Sequence, residues 1–193
     1  MAEDTSQRNP IRVDFVNPEA LRAPGRLGLT FAPGKKGRGS LYGVAYDRDL
    51  HADLMRLKGA YQTKVLVSLM EPFEYELLGI GDLFERAEGF GIEVLAFPIR
   101  DVSTPRAEQD QELGDLIKCI NDRLARGQSV VVHCRGGVGR SGLVASAVLV
   151  THRHEPAAAI DIVRSARPGA VETPQQEQYV HGFATRVNRA GPV

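Results

Sequence analysis

The chain has 193 residues, 42% of them hydrophobic and 25% charged, which is the composition of an ordinary globular domain. Its 24 basic and 24 acidic side chains cancel, which argues against nucleic-acid binding, because that binding usually depends on a surplus of positive charge. The longest apolar run spans nine residues, the N-terminus is polar and there are two cysteines, so we expect a cytoplasmic domain with neither a membrane span nor a secretory signal.

The first 40 residues are rich in proline, glycine and arginine. They predict an N-terminal extension packed on a main domain of residues 41–193. Two alternating stretches, 11–16 and 27–31, predict one or two strands at an edge.

A turn-prone segment, APGKKGRGS at 32–40, follows these strands. Its glycines and proline predict a loop. Lys35 and Lys36 stand beside glycines and could hold an anion there. A solvated turn is the usual environment of such charges, and it is the interpretation we prefer.

After this loop the hydrophobic period changes repeatedly between that of a helix and that of a strand. Asp47 is expected to cap a first helix, whose apolar face carries Leu50, Leu54 and Leu57. The predicted elements that follow are a strand at 64–70, a helix at 81–89, a buried strand at 92–99, a helix at 110–126, a strand at 129–133, and helices at 140–152, 156–166 and 174–188. This alternation predicts a single α/β domain with a largely parallel sheet that helices cover on both faces.

One segment, HCRGGVGRSG at 133–142, lies between a predicted strand and a predicted helix. Five residues separate Cys134 from Arg140 and three of them are glycines, so the backbone can curl and point its N–H groups inward. The start of the helix favours an anion, and Arg140 offers a planar fork to two phosphate oxygens. The predicted phosphate-binding positions are Arg135, Gly136, Gly137, Val138, Gly139 and Arg140.

The same positive field acts on Cys134, because a thiol at a helix N-terminus beside an arginine is easily deprotonated. A thiolate under a bound phosphate predicts phosphoryl transfer through a cysteinyl-phosphate. Ser141 can donate a hydrogen bond to the sulfur and stabilise it as a leaving group. His133 is expected to orient the loop. A metal site is not expected, because neighbouring strand residues face opposite ways and no further ligands stand at metal-binding spacing.

HCRGGVGRSG resembles the signature loop, HCxxGxxRS, of the cysteine-dependent protein tyrosine phosphatase superfamily. The segment FPIRDVSTP at 97–105 and the long helix after it are most similar to the dual-specificity branch, particularly to kinase-associated phosphatases that act on cyclin-dependent kinases. The resemblance covers residues 40–185. It implies a parallel-centred sheet with the loop at its C-terminal edge, phosphoprotein substrates, and neither a metal nor an organic cofactor.

The chemistry needs a proton donor for the leaving oxygen, and a carboxyl group on a loop above the cradle is the expected donor. Asp101 follows the predicted strand 92–99. Loops that leave parallel strands at their C-termini share one edge of the sheet, so Asp101 can face Cys134. The superfamily places its acid in this loop, and Asp101 matches that position. Three other aspartates are expected to cap helices or face solvent, namely Asp47, Asp82 and Asp110.

Related enzymes often position the hydrolytic water with a QTxxQ-like loop before the last helix, and this chain has ETPQQ at 172–176. The resemblance makes Gln176 a supporting residue. Glu172 stands where the first glutamine would be, and its role stays open, because a carboxylate beside phosphate needs a compensating cation such as Arg167. Cys119 is expected to be partly buried and not to be a redox partner of Cys134.

The substrate class is indicated by what the loop lacks. Phosphoinositide-directed relatives tend to place lysines between the cysteine and the arginine, and tyrosine-specific members use an Asn-Arg-Tyr type loop; neither is found in this sequence. We therefore expect a phosphoprotein phosphatase active on phosphotyrosine, with phosphoserine and phosphothreonine left open. We also expect a monomer with no nucleic-acid or membrane partner.

Two alternatives remain at this point. One is another enzyme with a Cys-loop-Arg site, of the sulfurtransferase or arsenate reductase type. The other is a phosphopeptide-binding pseudophosphatase without activity. Ser141 and the Asp101 segment favour a phosphatase over the first alternative. The presence of cysteine, arginine and acid together argues against the second.

Overall fold

The computed structural model describes residues 3–38 and 44–190. Within them the strands are β1 Asp14–Phe15, β2 Arg26–Phe31, β3 Lys36–Arg38, β4 Ala45–Asp47, β5 Thr63–Ser68, β6 Glu93–Ala96 and β7 Ser129–Cys134. The helices are α1 Leu50–Gly59, α2 Pro72–Leu77, α3 Leu83–Gly89, α4 Asp110–Ala125, α5 Gly139–Thr151, α6 Pro156–Ala166 and α7 Pro174–Ala190. None of the helices in these ranges has the length and apolarity that crossing a bilayer requires.

Five strands form the central sheet, in the order β1-β2-β7-β5-β6. The four from β2 to β6 run parallel, and β1 is the antiparallel edge. β7, the strand predicted at 129–133, lies in the middle, and all of its residues are buried. The predicted α/β fold with a largely parallel sheet is confirmed.

Helices cover both faces of the sheet, and β7 shows how the sequence directs them. Val130 and Val132 belong to the core cluster beneath α4, α5, α6 and α7, whereas Val131 faces the cluster formed with α1 and α3. Because side chains alternate along a strand, one run of valines fills two cores.

The first helix begins at Leu50, and its cap lies two residues later than predicted. Asp49 and not Asp47 is the cap, and its side chain accepts the N–H of Ala52 at 3.1 Å. Asp47 lies in β4, which pairs with β3, and forms an ion pair with Lys36 at 3.6 Å. The three predicted leucines of α1 are buried as expected.

Two predicted features of the middle of the chain differ in the structure. The strand expected to be buried at 92–99 is shorter, and β6 is half-exposed, because it is the outer strand of the sheet and pairs with β5 alone. The helix α2 was not predicted. It begins with Pro72 and carries the reciprocal backbone and side-chain hydrogen bonds of a capping box between Glu71 and Glu74.

The residues before position 40 contribute two strands to the central sheet. β1 has the predicted edge position, but β2 is an interior strand that pairs with both β1 and β7. The segment 32–40 is a loop only in part, because its residues 36–38 form the strand β3. Residues 39 and 40 lie outside the described residues. A division of the chain at residue 40 stays a prediction.

Candidate active site

The segment HCRGGVGRSG occupies the position that its sequence predicts. Cys134 is the last residue of β7, and α5 begins at Gly139. The turn between them passes close to β2. Gly137 has a φ of +70°, and a Cβ atom added there would lie 2.2 Å from the carbonyl oxygen of Thr30. Glycine is therefore required at this position by both the backbone conformation and the space.

The sulfur of Cys134 is buried at the base of this loop, with 3% of the residue exposed. Its Sγ accepts the backbone N–H of Gly137 at 3.2 Å. The hydroxyl oxygen of Ser141, in the first turn of α5, lies 3.7 Å from the same sulfur. The sulfur therefore lies against a backbone donor of the loop and a hydroxyl group of the helix.

Arg140 is buried and held from several sides. Its Nη1 and Nη2 donate to the two carboxylate oxygens of Glu74 at 2.6 and 2.9 Å. Nη1 also donates to the carbonyls of Leu69 and Ile99, whereas Nε has no acceptor among the described residues. Burial opposes the charge, but the hydrogen bonds and charge of Glu74 outweigh it, and the pKa of Arg140 is raised.

Glu74 is the residue of this site that the sequence analysis missed. It is 1% exposed, and one of its oxygens also accepts the N–H of Glu71 at 2.8 Å. A buried carboxylate with two hydrogen bonds to one guanidinium fixes the plane of that guanidinium. The pattern EPFE at 71–74, with proline at the first helical position and glutamate at the third, is a signal for the helix. It gives no signal for the partner, 66 residues away.

Asp101 lies on the same side of the sheet as the loop, as predicted. Its Oδ1 is 2.8 Å from Nη2 of Arg140, and its side chain is 47% exposed. The same oxygen accepts the N–H of Val102 at 3.1 Å, and Val102 adopts the left-handed conformation with a φ of +57°. Of the other aspartates considered, Asp82 pairs with Arg86, and Asp110 accepts the hydroxyl of Tyr179.

Gln176 is fully buried and connects α7 with the loop that bears Asp101. Its Nε2 donates to the carbonyl of Ser103 at 3.0 Å, and its Oε1 accepts the N–H of Glu172 at 2.9 Å. The carboxylate of Glu172 lines the cavity above Cys134. A Cβ atom added at Gly139 would lie 2.8 Å from that carboxylate and 3.0 Å from Nε2 of Gln176, so both side chains reach the start of α5.

Arg167 braces the loop from its outer side. Its Nε donates to the carbonyl of Gly137 and its Nη2 donates to that of Gly136 at 3.2 Å, while Nη1 pairs with Asp14 at 2.5 Å. These bonds occupy the carbonyls of Gly136 and Gly137.

His133 is fully buried on β7. Burial lowers its pKa to about 3, and the charge of Arg140 adds to the effect, so the ring is neutral at physiological pH. Neither ring nitrogen has a hydrogen-bond partner among the described residues. Its role in orienting the loop stays a prediction.

The cavity above Cys134 measures about 330 Å³. Cys134, Asp101 and Arg140 line it together with the loop residues Arg135, Gly136, Val138 and Gly139. Its other wall comes from β2, β4 and the turn between β2 and β3. There Lys35 is 7% exposed, so the solvated turn expected for Lys35 is wrong.

A family model described as "Tc-R-P: Polymorphic toxin system, DSP-PTPase phosphatase" matches residues 50–154, which include Glu74, Asp101 and the whole loop. The chain belongs to this family. DSP-PTPases are phosphatases, and the match covers the residues at the base of the cavity, whereas the wall formed by β2, β4 and the turn between β2 and β3 lies outside it.

Relatives of this DSP-PTPase agree with the assignment. Cyclin-dependent kinase inhibitor 3 of Rattus norvegicus is 28% identical over 187 residues, which are 94% of this chain and 82% of the relative. The dual specificity protein phosphatase CDC14B of Mus musculus is 37% identical over 90 residues, which are 46% of this chain and 17% of the relative.

A crystal structure of kinase associated phosphatase with its catalytic-site cysteine replaced by serine superimposes with a TM-score of 0.82 at 25% identity, covering 94% of this chain and 98% of that one. A crystal structure of Tk-PTP in the active form gives a TM-score of 0.67 at 28% identity, covering 90% and 97%. This DSP-PTPase is a cysteine-dependent protein phosphatase of the dual-specificity group. The sulfurtransferase, arsenate reductase and pseudophosphatase alternatives are not favoured.

Proposed function

We propose that this DSP-PTPase hydrolyses phosphotyrosine, phosphoserine and phosphothreonine on proteins through a phosphoryl group carried by Cys134, with no metal and no cofactor. The observation that supports this most directly is the base of the cavity. There the sulfur accepts the N–H of Gly137 beside an arginine that Glu74 holds in one plane.

In the first step the sulfur of Cys134 attacks phosphorus, forming the S–P bond while the bond to the substrate oxygen breaks. Arg140 binds the phosphate oxygens through Nε, which has no acceptor among the described residues, and through Nη2. The loop N–H groups between Arg135 and Gly139 bind the remaining charge. Asp101 gives its proton to the leaving oxygen.

In the second step a water attacks phosphorus, and the sulfur leaves as a thiolate. Asp101, now deprotonated, accepts a proton from that water, and phosphate is released. Ser141 stabilises the departing sulfur across the 3.7 Å that separates its hydroxyl from Sγ. Gln176 supports both steps by fixing the loop of Asp101 through Ser103.

The partner we propose is a phosphorylated protein. We propose that the enzyme is a monomer and acts in the cytoplasm. A reducing compartment suits a mechanism that needs a free thiolate, and both cysteines are free in the structure. The balanced net charge offers little attraction to a nucleic-acid backbone.

The reaction class is tested by incubating the reduced protein with an aryl phosphate and, separately, with thiosulfate and arsenate. We expect phosphate release from the aryl phosphate and no turnover of the other two. Rapid quenching in acid should trap one phosphoryl group on the peptide that contains Cys134, as detected by mass spectrometry. Thiosulfate or arsenate turnover, or a complete absence of phosphate release, would contradict the proposal.

Glu74→Gln tests how far the site depends on a positioned guanidinium. The amide keeps the size of the side chain but loses its charge, so Arg140 keeps Asp101 as its carboxylate partner and the plane of its fork is less fixed. We expect kcat/KM for an aryl phosphate to fall by about 10²-fold, and vanadate inhibition to weaken with it.

The readout that separates positioning from general destabilisation is vanadate affinity, measured at a temperature where the melting curve shows the variant folded. Glu76→Gln is a matched control on the same helix. Its carboxylate lies near Gly81 and does not line the cavity. Unchanged vanadate binding in Glu74→Gln would show that Glu74 is only structural.

A further inference from the structure

Lys35 occupies an unusual place for a lysine. It is 7% exposed and lines the cavity that contains Cys134. Its Nζ lies 3.7 Å from the centre of the Tyr46 ring and 4.6 Å from the centre of the Phe31 ring. Two aromatic faces attract an ammonium and hold it in one position.

Two of the other cations that line the cavity, Arg140 and Arg167, are already engaged, and Arg135 belongs to the loop itself. Arg140 pairs with Glu74 and Asp101, and Arg167 pairs with Asp14 and with the loop carbonyls. No carboxylate of the described residues forms an ion pair with Lys35, whereas its exposed neighbour Lys36 pairs with Asp47.

A buried ammonium with no ion-pair partner is poorly compensated. Burial lowers the pKa of Lys35 to about 8. Asp4 and the sulfur of Cys134 oppose this shift, while Arg48 and Arg167 add to it. The charged form is still the main one at neutral pH, and an anion brought by a ligand would remove part of its cost.

The sheet places this cation next to the reaction centre. Phe31 is the register partner of Cys134 in the β2–β7 ladder, so the ring that holds Lys35 is one strand away from the nucleophile. Neighbouring strands are about 4.8 Å apart, and an extended peptide advances about 3.4 Å per residue. A residue one or two positions from the phosphorylated one can therefore reach Lys35.

We propose that Lys35 is a second anion subsite, which binds an acidic group flanking the phosphorylated residue of a protein substrate. The inference rests on the proposed function, since the first anion is the phosphate above Cys134. The second anion is either a carboxylate or a further phosphate, and both would be recognised by the same ammonium. Lys35 thus makes the phosphatase selective for acidic sequence around its target.

The test uses phosphotyrosine peptides in an alanine background. In one set a single aspartate is placed in turn at each of the two positions on either side, and in a parallel set phosphoserine replaces the aspartate. Turnover is followed as the tyrosine formed, because phosphoserine is itself a proposed substrate. For the wild-type protein we expect the best-placed acidic residue to raise kcat/KM about tenfold over the all-alanine peptide, the effect of one charge-assisted hydrogen bond. The two peptide sets distinguish a carboxylate from a second phosphate.

Lys35→Met keeps the apolar stem against both rings and removes the charge. We expect its acidic-over-neutral ratio to fall from about ten to about one, mostly through KM. Lys36→Met is the matched control and should keep the wild-type ratio, because that side chain is 56% exposed and does not line the cavity. Ratios within one variant are unaffected by a change in the amount of folded protein.

Several outcomes would overturn the inference. One is a wild-type ratio of one at every position, which needs no variant to be seen. Another is a ratio unchanged in Lys35→Met, including the case in which all peptides slow equally, because Lys35 would then act on the thiolate. A preference for phosphoinositide vesicles over every peptide would also overturn it. If the wild-type protein does not hydrolyse an aryl phosphate at all, that result would instead count against the proposed function.

Discussion

Cys134→Ser is expected to abolish phosphate release from an aryl phosphate, to below about 10⁻⁵ of the wild-type rate. Serine has nearly the shape of cysteine, but its hydroxyl stays protonated where a thiol ionises, so no nucleophile forms under the phosphorus. The N–H of Gly137 and the fork of Arg140 remain in place. Binding of phosphate or vanadate should therefore persist in this variant, measured by calorimetry.

The chain offers its own control for this substitution. Cys119, the other cysteine, lies partly buried on α4 and does not line the cavity. Cys119→Ser should leave the rate within about twofold of wild type, as for a substitution away from the site. Substantial turnover by Cys134→Ser, or equal losses in the two variants, would show that Cys134 is not the nucleophile.

The fold could be predicted from the sequence wherever the signal is local. The apolar periods predicted α1, α4, α6 and the strand β7, and the glycines between Cys134 and Arg140 predicted the loop. The predicted cap at Asp47 is wrong because residues 45–47 form a strand that pairs with residues 36–38. No local sequence pattern indicates this pairing. The prediction that the strand at 92–99 is buried is wrong in part. An apolar strand has the same sequence pattern at the edge of a sheet as inside it.

In the site, too, the residues close together in sequence could be predicted and the distant ones could not. Cys134, Arg140 and Ser141 lie within eight residues, so their spacing alone describes a cradle. Glu74 reaches Arg140 across 66 residues, and nothing in EPFE indicates that its carboxylate turns inward. Lys35 was assigned to a solvated turn because charge and glycine dominate its neighbourhood. The two rings that bury it come from the strands β2 and β4.

The geometry around Arg140 also constrains the order of events. Asp101 and a substrate phosphate share one donor, because Asp101 pairs with Nη2 at 2.8 Å. In the proposed mechanism, a phosphate bound at Nη2 would displace Asp101 from the guanidinium. The loop of Asp101 is anchored by Gln176 through Ser103, so the carboxyl group would stay near the leaving oxygen. Binding of the substrate would then free the proposed acid.

The second large effect is expected from Asp101→Asn, which should lower kcat by about 10²–10⁴-fold, the usual contribution of a positioned proton transfer. The amide cannot protonate the leaving oxygen. The loss should be largest for alkyl phosphates, whose alkoxides leave poorly, and smaller for an acidic phenol. KM should stay the same or fall, because a neutral amide at this position competes less than a carboxylate with the substrate phosphate for Arg140.

The pH profile gives the sharper measurement. Wild-type kcat/KM should be bell-shaped, because the proposed mechanism needs a deprotonated sulfur at Cys134 and a protonated carboxyl group at Asp101. In Asp101→Asn the basic limb should flatten and the acidic limb should remain. Asp82→Asn is the control, since Asp82 pairs with Arg86 at the start of α3, outside the cavity, and it should keep both limbs. A basic limb that survives in Asp101→Asn, with equal losses across leaving groups, would assign the acid to another carboxylate, and Glu172 on the cavity wall would be the first to replace.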